Sequence, residues 1–131
     1  MSVFVDTSAL LAVLHAGDEN HRRAARSFRG LIEANEELVT TSYILVETTA
    51  LLQHRFGLPA VRGFQDDLVP VLGVVWVDAE LHAEATAALL TAGRRELSLV
   101  DCVSFAGMRR QGLTRAFHFD RHFREQGFAS A

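Results

Sequence analysis

Two spacings of apolar residues alternate along the chain. Val3–Val5, Leu38–Thr40, Val74–Val77 and Ala116–Phe119 are short runs of strand length, rich in β-branched and aromatic residues. Between them, apolar residues recur every three or four positions, the period of a helix with one buried face. Thr7-Ser8 leads into a predicted helix over Ala9–Leu14, and Gly17-Asp18-Glu19-Asn20 breaks it. His21 to Asn35 reads as an amphipathic helix with Ala24, Phe28, Leu31 and Ile32 on one side. Ser42 is the expected N-cap of a helix that runs to Phe56 and stops at Gly57. A shorter helix is expected after Pro59, an alanine-rich one over Ala79–Ala92, one opened by Ser98 and ending near Gln111, and a short one from Arg121.

Strands that alternate with helices imply βαβ crossovers. The expected fold is therefore α/β, a small and mostly parallel sheet covered by helices on both faces. The 131 residues contain no repeat, linker or low-complexity tract, so residues 1–131 are read as one domain. In open sheets of this kind, sites form outside the carboxyl ends of the strands. Asp6, Asp78 and Asp120 each follow an apolar run directly and so fall at that edge.

Each acid has a bland structural role available. Asp6, Asp78 and Asp120 all precede helices and can cap them. Asp101 follows Ser98 by three, the spacing of a capping box. Glu47 is harder to explain, because its helical neighbours are Tyr43 and Leu51. A glutamate on an apolar face needs an arginine partner, a side chain extended to water, or a cation. Taken together, two acids at strand ends and two on apolar helix faces would meet in one cleft. Such a cluster repels itself, and a divalent cation relieves the repulsion. Oxygen ligands without a thiolate set or a histidine pair favour Mg²⁺ or Mn²⁺. A metal held by carboxylates can activate water against a phosphodiester.

Composition narrows the classes further. A single cysteine, Cys102, excludes an internal disulfide and a thiolate-rich zinc site, and it suits the cytosol. The opening Met1-Ser2-Val3-Phe4-Val5 has no basic segment ahead of a long apolar one, and no apolar run reaches the length of a membrane span. A cytoplasmic protein without a membrane association is expected. The net charge is −3, so any nucleic acid must be held by local basic patches. All 13 basic residues are arginine, which removes every mechanism that needs a lysine.

Phe4-Val5-Asp6-Thr7-Ser8-Ala9-Leu10-Leu11 resembles the opening motif of PIN-domain ribonucleases, in particular the VapC-type toxins of bacterial toxin–antitoxin pairs. Glu47 in its helix looks like the second acid. Leu97-Ser98-Leu99-Val100-Asp101 is similar to the third-acid motif, and Phe119-Asp120-Arg121-His122-Phe123 to the closing one. One departure is His118, which stands where the family often has a hydroxyl residue two positions ahead of the last acid. The resemblance implies a PIN-like α/β/α sandwich and a Mg²⁺- or Mn²⁺-dependent endoribonuclease. It also implies a homodimer and inhibition by a cognate antitoxin protein. Asp6, Glu47 and Asp101 would then be the core ligands, with Asp120 a more distant ligand or an orienter of water. Ser8 and Ser98 would be hydroxyls that orient the carboxylates.

The arginines divide into Arg22, Arg23, Arg26 and Arg29 on one predicted helix and Arg109, Arg110, Arg115, Arg121 and Arg124 near the C-terminus. They are either solvated faces or holders of RNA phosphates. Arg109, Arg110 and Arg121 are the candidates for phosphate contact. His118, Asp120 and His122 would share a face, and could take Zn²⁺, only in an extended chain; the expected turn into a helix at Asp120 scatters them. No aromatic ladder for base stacking is evident, and Trp76 and the phenylalanines fall in core patterns. Two other readings remain open: an inactive PIN-like module that binds RNA or protein, and a signalling receiver domain, which would need the lysine this chain lacks.

Overall fold

Val3, Phe4 and Val5 point to alternate faces of a strand, yet all three are buried. Both faces of that strand must therefore be covered, which is the signature of a parallel sheet between helical layers. The computed structural model describes all 131 residues and shows that arrangement. In chain order the elements are β1 (Ser2–Val5), α1 (Thr7–Leu14), α2 (His21–Glu33), β2 (Glu37–Thr41), α3 (Ser42–Phe56) and α4 (Leu58–Gly63). There follow β3 (Leu72–Val75), α5 (Ala79–Ala92), α6 (Leu99–Gln111), β4 (Arg115–Phe117), α7 (Arg121–Glu125) and β5 (Ala129–Ser130). A π turn at Phe64–Leu68 and a 3-10 turn at Val69–Val71 carry the chain from α4 to β3.

The sheet order is β3-β2-β1-β4-β5, and every pairing is parallel. From β1 the chain first builds outward to β2 and β3, then crosses back to place β4 on the other side of β1. The order therefore reverses between β1 and β4, and a crevice opens there at the carboxyl ends of the strands. Phe4, Ile44, Leu52, Phe64, Phe117 and Phe123 are among the largest fully buried side chains and join sheet and helices into one core. No helix is long and apolar enough to cross a membrane.

The predicted elements are present, with four differences. The third strand ends at Val75 rather than Val77, which leaves Trp76 74% exposed and outside the core. The fourth ends at Phe117 because the chain turns away to reach α7. A fifth strand, Ala129–Ser130, is too short and too exposed to announce itself. The cap of α3 is Thr41, whose hydroxyl accepts from the Ile44 N–H; Ser42 instead accepts from the Val77 N–H and ties β3's exit to α3. Gly57 ends α3 as expected, at φ 86, a conformation that favours glycine.

Candidate active site

Asp6 stands at the carboxyl end of β1, beside the end of β4. It follows β1, caps α1, and is only 5% exposed. Its backbone N–H donates to the Phe117 carbonyl (3.1 Å), which locks it to the end of β4. Its Oδ2 accepts from the Ser8 N–H (3.1 Å) and from the Ser8 hydroxyl (2.6 Å). Ser8 Oγ in turn accepts from the Phe119 N–H (2.9 Å). One hydroxyl thus couples the carboxylate to the loop after β4 and fixes its rotamer. On the other flank the buried Thr40 hydroxyl donates to the Val5 carbonyl (2.8 Å), which holds β2 against the residue before Asp6.

Asp101 sits in the first turn of α6. The Ser98 hydroxyl accepts from the Asp101 N–H (3.0 Å), and Asp101 Oδ2 accepts from the Ser98 N–H (3.2 Å), a complete capping box. The helix cap is therefore also the device that orients the carboxylate. Glu47 is half-buried on α3, and Thr48 beside it donates to the Thr7 hydroxyl (3.1 Å), next to Asp6. Asp120 caps α7 by accepting from the His122 N–H (2.9 Å).

Electrostatics tie the four acids into one site. Burial pushes Asp6 up to about 7 from an ordinary 3.8; the Ser8 bonds oppose the rise, and the charges of Asp101 and Asp120 add to it. Burial also raises Glu47, helped by Asp101 and Asp120, and it raises Asp101, helped by Asp120. No arginine pairs with any of the four, and the one ion-pair contact to the group is from the His122 ring, 3.9 Å from Asp120 and beyond hydrogen-bonding range. This contrasts with Asp78, which caps α5 and lies 3.8 Å from Arg110, and which takes no part in the cluster. The acids do not close into a cage: no three His, Cys, Asp or Glu side chains converge as a ready metal-ligand group.

The donor chemistry fits a hard divalent cation. All four groups offer oxygen, and the raised acids gain most from a positive charge. Mg²⁺ commonly takes one or two carboxylates directly and reaches others through its waters, so an open ring of acids suits it better than a closed cage would.

A family model for the PIN domain matches residues 3–129, nearly the whole chain. The chain belongs to the PIN-domain family. It is 37% identical over 127 residues to the 23S rRNA-specific endonuclease VapC20 of Mycobacterium tuberculosis, covering 96% of this chain and 95% of that protein. It is 22% identical over 128 residues to a VapC ribonuclease of Aquifex aeolicus, covering 95% and 91%. The crystal structure of the M. tuberculosis VapC20, named there a sarcin–ricin loop cleaving toxin, superposes with a TM-score of 0.85 at 36% identity over 97% of this chain and 96% of that one. The VapBC2 structure of Rickettsia felis, bound to promoter DNA, shares the fold at a TM-score of 0.73 and 11% identity, covering all of this chain and 98% of that one.

Within this PIN fold, the remaining expected residues fare differently. Arg121 lies beside Asp120, at a polar cleft. Arg109 and Arg110 sit at the opposite end of α6 from Asp101. Arg109 bonds to Gln126 and lies over Phe128, and Arg110 pairs with Glu84 and Asp78, so both are held in structural contacts. His118, Asp120 and His122 do not form a metal-ligand group: His118 bonds to Ser130, while His122 bonds to Glu125 and stays 3.9 Å from Asp120. Cys102 packs with Leu81, Ala85 and Val103. Thr7, Thr48 and His122 were not anticipated as parts of the site. The one signal for Thr48 was a hydroxyl inside an apolar helix, directly after Glu47.

Proposed function

We propose that this PIN domain is an endoribonuclease that requires Mg²⁺ or Mn²⁺ and acts as the toxin of a toxin–antitoxin pair in the cytoplasm. The observation that carries the reading is a buried aspartate, Asp6, raised further by the charges of Asp101 and Asp120, which also act on Glu47, with no arginine paired to any of the four. A fold keeps unpaired buried carboxylates together at a cost in stability, which is explicable where they serve a cation and a reaction. Kinship with an rRNA-specific endonuclease over nearly the whole chain supports RNA as the substrate. The same kinship favours the sarcin–ricin loop of 23S rRNA as the first target to test.

Asp6, Glu47 and Asp101 would hold the cation, with Asp120 at its margin. The chemistry such a cation would supply, when bound, is neutralisation of the phosphodiester oxyanions and a lower pKa for the attacking water. Ser8 keeps Asp6 aimed into the crevice by donating to Oδ2 while Phe119 N–H holds the serine in place. Ser98 does the same for Asp101 through its backbone N–H. Asp120, fixed by the His122 N–H, orients water or ligates at the rim. As a toxin the protein would need a cognate antitoxin to silence it, and we take a homodimer as its working form.

Ribosomal RNA incubated with the purified, partner-free protein and Mg²⁺, Mn²⁺ or EDTA tests the reading. Discrete cuts are expected with metal and none with EDTA or with Asp6→Asn. RNA binding without cleavage under any metal would instead establish a PIN-like binding module.

A further inference from the structure

Beside the acids lies a second feature that the reaction described above does not use. A polar cavity of about 370 Å³ opens between the start of α2, the end of β4 and α7. Asp120 forms part of its wall, so it adjoins the proposed reaction centre directly. Three arginines line it from two elements: Arg23 from α2, and Arg121 and Arg124 from α7. Arg23 and Arg124 have no carboxylate partner, and Arg121 has only a long contact to Glu125 at 4.0 Å. Glu19 is the one other acid on the wall. Arg110 and Arg115 are engaged with Glu84, Asp78 and Glu36, whereas Arg23 and Arg124 bring unpaired positive charge to a cleft that includes Asp120.

The cavity is linked to the deepest acid by contacts, and not only by proximity. The Arg23 guanidinium lies over the Phe119 ring, 5.4 Å from its centroid. Stacking of this kind restricts the side chain and leaves its N–H groups free at the guanidinium edge. The Phe119 N–H donates to Ser8 Oγ, and the Ser8 hydroxyl donates to Asp6. His118 backs the same wall, 8% exposed, with Nε2 bonded to Ser130 and a buried Nδ1 that has no partner. The lining is thus mostly polar, and its arginines supply forked donors.

We propose that this cleft binds a backbone phosphate of the RNA adjacent to the scissile one, with Arg23 and Arg124 as the clamp and Arg121 at the rim. The proposal rests on RNA being the substrate. A chain of net charge −3 whose reaction centre is itself acidic repels the polyanion it must hold, so attraction has to come from a local patch. Planar guanidiniums match a phosphate's oxygens with paired N–H donors. A cleft on one side of Asp120 also sets the direction in which the strand crosses the acids. A contact of this kind positions the RNA and carries no sequence information.

The test measures binding of a sarcin–ricin-loop hairpin and of an unrelated RNA hairpin in EDTA, across a salt series. The proteins are wild type, Arg23→Ala, Arg124→Ala, the double variant, Arg23→Lys and the control Arg22→Ala, each checked for unchanged thermal unfolding. Each alanine variant is expected to weaken both RNAs by about tenfold. The double variant is expected to lower the slope of log affinity against log salt by about 1. Arg23→Lys should restore the slope, and Arg22→Ala should change nothing. Unchanged affinity and slope in the double variant, from a protein that still cleaves RNA with metal, would overturn the phosphate site and leave the cleft to an acidic protein segment. A wild type that never cleaves, but whose slope falls in the double variant, would keep the phosphate site and remove the nuclease reading.

Discussion

The two ends of the one parallel sheet treat carboxylates in opposite ways. At the amino ends of the strands, Glu36 lies just before β2, where Arg115 at the start of β4 (3.2 Å) and the Met1 amino group (3.6 Å) both reach it. The Arg115 hydrogen bond and the nearby charges hold Glu36 below the usual glutamate range. At the carboxyl ends, Asp6, Glu47 and Asp101 have no such partners and are all pushed upward by burial. Both sets sit beside the same strands. One is a tie between β2 and β4, and the other is charge left uncompensated. The difference marks the carboxyl edge as the candidate reaction edge, because a carboxylate already satisfied by a cation within the fold has little left to offer a metal.

Exchanging single charges at the two ends should separate them most sharply. Asp6→Asn or Asp101→Asn is expected to lower RNA cleavage on the order of a hundredfold to a thousandfold, the range seen when one preorganised electrostatic group is lost. Glu36→Gln should leave the rate constant within experimental error while lowering the melting temperature. Single-turnover cleavage and thermal unfolding of the same preparations make the comparison. Equal loss of activity from both ends would abolish the distinction.

Ionisation should set the two ends against each other with pH. For Asp6 in metal-free protein, the folded state keeps its proton up to about 7 while the unfolded state loses it near 3.8. The folded state therefore binds more protons in that window, and stability falls as pH rises through it, by at most about 4 kcal/mol from Asp6 alone. Glu47 and Asp101 shift in the same direction. Glu36 acts oppositely: its contribution is present above the ordinary glutamate pKa and disappears as pH falls through its lowered one. Denaturant unfolding in EDTA at pH 5 and pH 8 should show Asp6→Asn gaining on wild type at the higher pH. Adding Mn²⁺ at pH 8 should raise the melting temperature of wild type and not of the Asp6→Asn, Asp101→Asn double variant.

Smaller effects sharpen the picture of how the acids are aimed. Ser8→Ala removes the one hydroxyl that joins Asp6 to Phe119 and should reduce cleavage about tenfold to a hundredfold, as expected for a partner that orients a ligand. Ser98→Ala removes a cap and should cost about 1 kcal/mol of stability. Its effect on cleavage should be milder, because Asp101 keeps its bond to the residue 98 N–H. Ser98→Thr, which preserves the cap, should recover most of the stability.

The elements were legible because each depends on residues close together in the chain. Val3–Val5 is too short and apolar for anything but a covered strand, Gly57 can only end a helix where φ is 86, and Ser98 with Asp101 spells its cap in four residues. The four acids were legible as candidates, at strand ends or on apolar helix faces, although Asp6, Asp101 and Asp120 also serve in helix caps. What the pattern could not carry were facts about neighbours distant in sequence. Arg110 and Arg121 look alike along the chain, yet one is committed to Glu84 and Asp78 while the other borders the cleft at Asp120. Trp76 reads as core until β3 ends one residue short of it. Arg23 gains its meaning only when α2 is laid beside Phe119, 96 positions further on. Local propensity and periodicity set the parts and their polarity. Which charges meet a partner, and which are left free at the carboxyl edge, was decided by the crossover that brings β4 beside β1, since electrostatic pairing follows distance in space and not order along the chain.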